Sequence, residues 1–177
     1  MATTALVVGV PALRTGPHWL FVSYVRLNAV ILSHADIDHY KPLPELLERF
    51  DVGVVYCSPW MFNKVDPALD QLRHTIHTTG TRVGHLQAGE RLKVSGGVEI
   101  EVLHPPAADV VGSDNANSIV LEISCQRRNV LLPGDLETPG LEAVTAELPH
   151  GFDLMMAPHH GSIHRDPETF AMWLQPE

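Results

Sequence analysis

The stretch "LNAVILSHADIDH", residues 27–39, decides how this chain is read, because an apolar run leads directly into two histidines and two aspartates. Short β-branched apolar runs read as buried strands. Imidazole and carboxylate groups are costly to bury without partners. These side chains bind borderline and hard divalent cations, and a His with carboxylates two and four positions on lets one tight loop present several donors to a pair of ions. Taken alone, the loop also fits a surface turn in which an aspartate caps the following helix.

Outward from this loop, strands and helices alternate. "VGVVYCS", residues 52–58, reads as a second buried strand, and "PLPELLERF" between the two carries the Leu43, Leu46, Leu47 and Phe50 spacing of an amphipathic helix. "DPALDQLRHTIH", residues 66–77, repeats the helical pattern through Leu69, Leu72 and Ile76, with Asp66 as N-cap and Gly80 as stop. From Arg91 the period changes. "RLKV" and "VEIEVL" flank "SGG" as a hairpin with Val98, Ile100 and Val102 alternating against Glu99 and Glu101. "SIVLEIS" and "NVLLPGD" flank "CQRR" as another, and "TPGLEAVTAEL" (helix), "FDLMMA" (strand) and "DPETFAMWL" (helix) follow. The expectation is one layered α/β domain over residues 1–177, with hairpins that argue against an all-parallel sheet.

At 177 residues and 45% hydrophobic content the chain can bury one proper core. A net charge of −9 excludes the broad basic face of duplex-binding proteins, so an anionic substrate must be held by metal ions or a few local cations. Cys57 and Cys125 each fall in an apolar run and read as buried free thiols. "ALVVGVPAL" lacks a preceding basic region and is interrupted by Pro11, so no signal peptide is evident. No apolar stretch approaches the roughly 20 residues of a membrane span. The compartment stays open.

Three predicted strands end in metal-type ligands: "ILSHADIDH", "VLLPGD" and "LMMAPHH". With these motifs the chain resembles the metallo-β-lactamase superfamily, and within it the C-terminal hydrolase domain of ComEC-type DNA-uptake proteins. "SHADIDH" is similar to that branch's His-x-Asp-x-Asp-His loop, where most of the superfamily has a second His in place of the first Asp. "NSIVLEI…NVLLPGDLE" resembles its hairpin and Gly-Asp, "APHHGS" its His-His-Gly-Ser loop, and "EVLHPP" with "SDNANS" is also typical of it. The resemblance runs from about residue 27 to 162. The branch's opening Asp-Val-Gly-x-Gly and Asp-x-Gly motifs are not present before Ser33, "ALVVGV" is at most an echo of the opening strand, and "YKPLP" stands where the branch often has two glycines. The expectation is therefore an αββα sandwich incomplete at both ends.

The resemblance implies a dinuclear centre of two divalent ions, Zn or Mn. His34 and Asp36 would bind the first ion and Asp38 and His39 the second, with Asp135 bridging and His160 or its neighbour His159 completing the shell. Asp36 in place of the usual His makes the site harder and favours Mn²⁺ or Mg²⁺ relative to Zn²⁺. The implied activity is metal-dependent hydrolysis of a phosphodiester, such as nucleic acid held weakly, with Asp38 orienting the attacking water and the spare His159 protonating the leaving oxygen. A lactonase or thioesterase on the same fold, or a non-catalytic remnant, is the alternative, and a membrane channel partner is implied by the resemblance alone. His74, His77, His85, His104 and His150 read as solvated or structural, Asp153 as a strand-edge carboxylate, Ser162 as a turn cap, and "CQRR" as a solvated turn. Asn115, Asn117, His164 and Arg165 are candidates for contacts at the mouth of the site.

Overall fold

The computed structural model describes residues 5–11, 25–108, 112–147, 151–161 and 167–174. The chain runs β1 (Ala5–Pro11), β2 (Val25–Leu32), α1 (Ile37–Tyr40), α2 (Leu43–Arg49), β3 (Asp51–Val52), β4 (Val54–Cys57), α3 (Pro67–Thr78) and β5 (Arg82–His85). It continues through β6 (Arg91–Val94), β7 (Val98–His104), β8 (Val120–Cys125), β9 (Arg128–Leu132), α4 (Gly140–Thr145), β10 (Leu154–Met155) and α5 (Pro167–Leu174). One sheet has the order β1-β2-β4-β5 with β3 also beside β2, and the other the order β10-β9-β8-β7-β6. The β1–β2 pair is antiparallel, while β3 and β4 run parallel to β2 and β5 runs parallel to β4. In the second sheet only the β9–β10 pair is parallel.

Alternation along β2 explains the layers. Val30 and Leu32 pack with Leu43 and Leu47 of α2 and Leu69, Leu72 and Ile76 of α3. Ile31 points the other way and packs with Ile100 and Val102 of β7 and Leu121 of β8, between the sheets. A strand buried on both faces reads as a continuous apolar run. On the far side, Val120 and Leu131 meet Leu141 and Val144 of α4 and Phe170 and Leu174 of α5. The result is the expected αββα sandwich. Full burial of each such Leu or Ile side chain contributes about 1.5–3 kcal/mol.

Local expectations hold where the pattern is strong. Asp66 caps α3, its carboxylate accepting from Ala68 N–H at 2.8 Å and Leu69 N–H at 3.4 Å. The β6–β7 hairpin has its wet face, on which Arg91 pairs with Glu101 at 2.8 Å. "ALVVGV" does supply a strand, β1. The predicted strand over residues 52–58 is instead broken into β3 and β4 at Gly53, whose backbone lies so close to β2 that an added Cβ would meet Asn28 O at 2.7 Å. The predicted helix after Pro139 shortens to Gly140–Thr145 and the strand in "FDLMMA" to Leu154–Met155.

These registers position the site. Parallel β9 and β10 bring residues 133–135 and 156–160 to the same end of the second sheet, and antiparallel β8 starts there too, after residues 115–118. The end of β2 meets them through a hydrogen bond from Ile119 N–H to the Ser33 carbonyl at 2.8 Å.

Candidate metal centre

Two backbone hydrogen bonds join the segments of the site in pairs before any side chain is considered. Besides the Ile119–Ser33 bond, His159 N–H donates to the Gly134 carbonyl at 3.2 Å. Gly134 has φ +59°, and a Cβ there would stand 3.1 Å from the Ser33 Cβ, so the Gly of "PGD" serves both a left-handed turn and a close approach. Asp36 occupies the N-cap position of α1, yet its side chain makes no capping hydrogen bond. The capping reading of this loop therefore fails, and the carboxylate is free for another task.

The loops converge their donors. His34, His39 and Asp135 are all buried, and one ligand atom from each falls within 4.8 Å of the others; Asp38, His39 and His160 form a second such group. Asp135 Oδ2 lies 3.3 Å from His39 Nε2, 3.4 Å from His160 Nε2 and 3.7 Å from His159 Nδ1. Asp38 Oδ2 is 3.6 Å from His39 Nε2 and 3.9 Å from His160 Nε2, and Asp36 Oδ2 is 3.7 Å from His34 Nε2. All the residues expected at the centre are thus brought together. Of the histidine pair, His160 joins Asp38 and His39, its ring stacked on His39 with centroids 5.5 Å apart. His159 turns toward Asn115, whose Nδ2 is 3.3 Å from its Nδ1.

Two local features fix these orientations. Ser33 Oγ lies 3.0 Å from His34 Nδ1 and 3.2 Å from His39 Nδ1. A hydroxyl oxygen has two lone pairs, so it can accept from both Nδ1–H groups and leave both Nε2 lone pairs facing the shared space. That is the tautomer a metal-binding imidazole needs. His159 and His160 have φ of 47° and 54°, followed by Gly161 at 80°. Consecutive non-glycine residues in the left-handed region store strain of about 1–3 kcal/mol each and collect at functional sites.

The electrostatics are those of a site short of positive charge. Burial, helped by the neighbouring His39 charge, lowers the His34 pKa to about 4, so its imidazole is neutral at pH 7. Burial also opposes charge on His39, but the Asp135, Asp38 and Asp36 carboxylates outweigh it and raise the pKa. For Asp135 burial is outweighed by His39, His34 and His160, and the pKa falls. Burial raises the Asp36 pKa, and Asp114 and Asp38 add to the rise. Buried His34 Nε2, His39 Nε2 and Asp135 Oδ1 have no hydrogen-bond partner. Two imidazoles and a carboxylate, desolvated and each with a ligand atom within 4.8 Å of the others, fit a borderline divalent cation.

Residues read as structural stay outside this cluster. His74, His77 and His85 are exposed. His104 is buried with Nδ1 2.8 Å from the Ser118 carbonyl oxygen. Asp153 pairs with Arg128 and accepts from Asn129 N–H at 2.8 Å, as a strand-edge carboxylate. Gln126 and Arg127 form the β8–β9 turn at positive φ. Cys57 and Cys125 are free thiols: Cys57 is fully buried, its pKa pushed by burial up to about 12, whereas Cys125, expected to be buried, is only half-buried at the end of β8 beside the turn. His150, Ser162, His164 and Arg165 lie outside the described residues. Sequence reasoning gave Ser33 no role, although it opens the quoted motif, and it did not pair Asn115 with His159.

The four-layer sandwich and the centre where its sheets meet agree with the sequence comparison: residues 22–168 match the metallo-beta-lactamase superfamily, and the chain belongs to it. Members of this superfamily are generally metal-dependent hydrolases. Among curated proteins the chain is 28% identical over 153 residues to ComE operon protein 3 of Bacillus subtilis (strain 168), covering 86% of this chain and 19% of that protein. The chain thus spans about a fifth of that relative's length. Among solved structures it shares its fold with Zn²⁺-bound PqqB from Methylobacterium extorquens, at TM-score 0.52 and 16% identity over 72% of this chain and 44% of that one. A CmlA β-hydroxylase variant aligns at TM-score 0.51 and 21% identity over 73% of this chain and 25% of that one. Among the described residues no helix is long and apolar enough to cross a membrane.

Proposed function

We propose that this chain is a phosphodiesterase or nuclease working through two divalent ions, with His34 and Asp36 on the first, Asp38, His39 and His160 on the second, and Asp135 shared. The observation that carries the reading is the convergence of three buried residues, His34, His39 and Asp135, each with a ligand atom within 4.8 Å of the others. The phosphodiester class is chosen on the resemblance of the three ligand motifs to the ComEC-type branch, with which the likeness to ComE operon protein 3 is consistent. When bound, a metal pair supplies a water nucleophile active at neutral pH and neutralises charge developing on phosphoryl oxygens. Asp38, its side chain 59% exposed at the mouth, accepts a hydrogen bond from the attacking water and aims it. His159, whose Nδ1 lies 3.3 Å from the Asn115 amide nitrogen and 3.7 Å from Asp135 Oδ2, is the group assigned to protonate the leaving oxygen. Ser33 holds the two buried imidazoles in the metal-binding tautomer.

The test is hydrolysis of bis(p-nitrophenyl) phosphate and of single-stranded DNA by protein loaded with Mn²⁺ or Zn²⁺. We expect turnover of the small diester, weak and salt-sensitive use of DNA, Mn²⁺ equal to or better than Zn²⁺, and losses of roughly a hundredfold or more in His34→Ala and Asp38→Asn. Metal-loaded, folded protein no better than Asp38→Asn on either compound identifies a non-catalytic remnant. Efficient opening of a lactone or thioester instead moves the activity to that substrate class.

A further inference from the structure

A cleft of about 370 Å³ opens beside the centre, with His34 in its wall together with Ser58, Trp60, Lys64, Asp114 and Asn117. Lys64 is the one full positive charge among the described residues that line it, in a chain of net charge −9. It sits in the loop between β4 and α3 and pairs with Asp114, which precedes the 3₁₀ turn at Asn115–Asn117 in the loop between β7 and β8. The pair therefore spans the cleft mouth, from a loop of one sheet to a loop of the other. Asp36 lies within the electrostatic reach of both partners.

We propose that this cleft is the subsite for a second phosphate of the substrate, next to the one being hydrolysed, with Lys64 as the group that receives it and Asp114 as a built-in competitor holding Lys64 until substrate arrives. The inference rests on the phosphodiesterase reading and narrows it to substrates carrying consecutive phosphates. The Lys64 and Asp114 side chains are 45% and 30% exposed. An ion pair this open to water contributes only about 0–1 kcal/mol, so displacing it costs little. A phosphate in its place keeps the ammonium paired. Trp60 and Asn63 line the same cleft. Without Lys64 the cleft would repel anions through Asp36 and Asp114.

A mere staple between two loops makes a different prediction from a displaceable latch, and the two variants separate them by sign. The probes are thymidylyl-thymidine and its 5′- and 3′-phosphorylated forms, which share a single internal diester. Discrimination is read as the ratio of kcat/KM values where the diester is cleaved, and as the ratio of Kd values by calorimetry on metal-loaded protein where it is not. Loss of turnover thus counts against the phosphodiesterase reading and leaves this one to be judged by binding. Wild type prefers one phosphorylated form. K64Q reduces that preference roughly tenfold, the scale of one charge-assisted hydrogen bond, K64R retains most of it, and D114N increases it. Equal affinity of wild type for all three probes overturns the proposal. So does a preference untouched by K64Q, or a parallel loss in K64Q and D114N that tracks a lowered melting temperature.

Discussion

The donors at this centre fall into two groups that differ in how the fold holds them. His34, His39 and Asp135 are 2%, 0% and 4% exposed, whereas the side chains of Asp36, Asp38 and His160 are 48%, 59% and 38% exposed. In the buried group His34 and Asp135 follow strand ends and His39 is a buried residue of α1, and the group is braced by Ser33 and by the backbone bonds of Ile119 and His159. Its positions are set by the same packing that makes the sandwich. The rim group hangs on α1 and on the strained turn at residues 159–161, where orientation can adjust to ion and substrate. Each unpartnered buried polar atom costs about 1–3 kcal/mol in the metal-free chain, and bound cations recover that cost, which couples metal binding to stability. On the proposed two-ion reading, the difference gives affinity to the buried group and selectivity and chemistry to the rim.

The largest effect should come from the one carboxylate both groups share. Asp135→Ala is expected to lower bound metal, measured per chain by mass spectrometry after gel filtration, from close to two ions to one or fewer. Asp36→Ala, on the rim, should retain more metal than Asp135→Ala. The reverse order breaks the division between the groups.

A smaller effect tests whether the buried histidines depend on their shared hydroxyl. Ser33→Ala removes the acceptor for both Nδ1 atoms without touching a ligand. The expected outcome is a ten- to hundredfold loss of metal affinity, the usual scale for a partner that orients a metal-binding residue, with the circular dichroism spectrum unchanged. An affinity within twofold of wild type means that packing alone orients the two rings.

What could be read from the sequence follows the same division between what is local and what is assembled. The β2 run, the alternation in β7 and the spacing in α3 announce themselves because each element is buried in its own period. "RVGH" has no such period; β5 exists because β4 offers its backbone to pair with, and because Gly84 leaves room for the Tyr56 ring, which a Cβ would meet at 2.6 Å. The break at Gly53 likewise depends on Asn28 in a neighbouring strand. At the centre, the clusters in "SHADIDH", "PGD" and "APHH" stood out from side-chain type at strand ends, while the choice of His34, Asp36, Asp38, His39, Asp135 and His160 or His159 came from the family resemblance. The roles of Ser33 and Asn115 were not legible, since a serine before a histidine resembles any turn residue and Asn115 is far in sequence from His159. The Lys64–Asp114 pair, 50 positions apart, carries no local signal at all.

The smallest effect concerns the buried group in the absence of metal. His34 is neutral in the fold, with a pKa lowered by burial and the His39 charge to about 4, against about 6.5 in the unfolded chain. Its contribution to stability is complete above pH 6.5 and is lost as pH falls toward 4, because the unfolded chain takes up the proton first. His104, whose pKa is also lowered by burial, acts with the same sign. His39 acts against them: its pKa is raised in the fold, so its contribution is present at low pH and lost as pH rises. The His34 shift alone corresponds to about 3 kcal/mol, which the opposing His39 shift reduces. Urea unfolding of EDTA-treated protein should therefore show a midpoint that drops between pH 7 and pH 5. His34→Gln, which cannot titrate, should flatten that drop, leaving the opposing contributions of His104 and His39. A midpoint that instead rises on acidification means that the His39–Asp135 ion pair, and not the desolvated His34, dominates the metal-free centre.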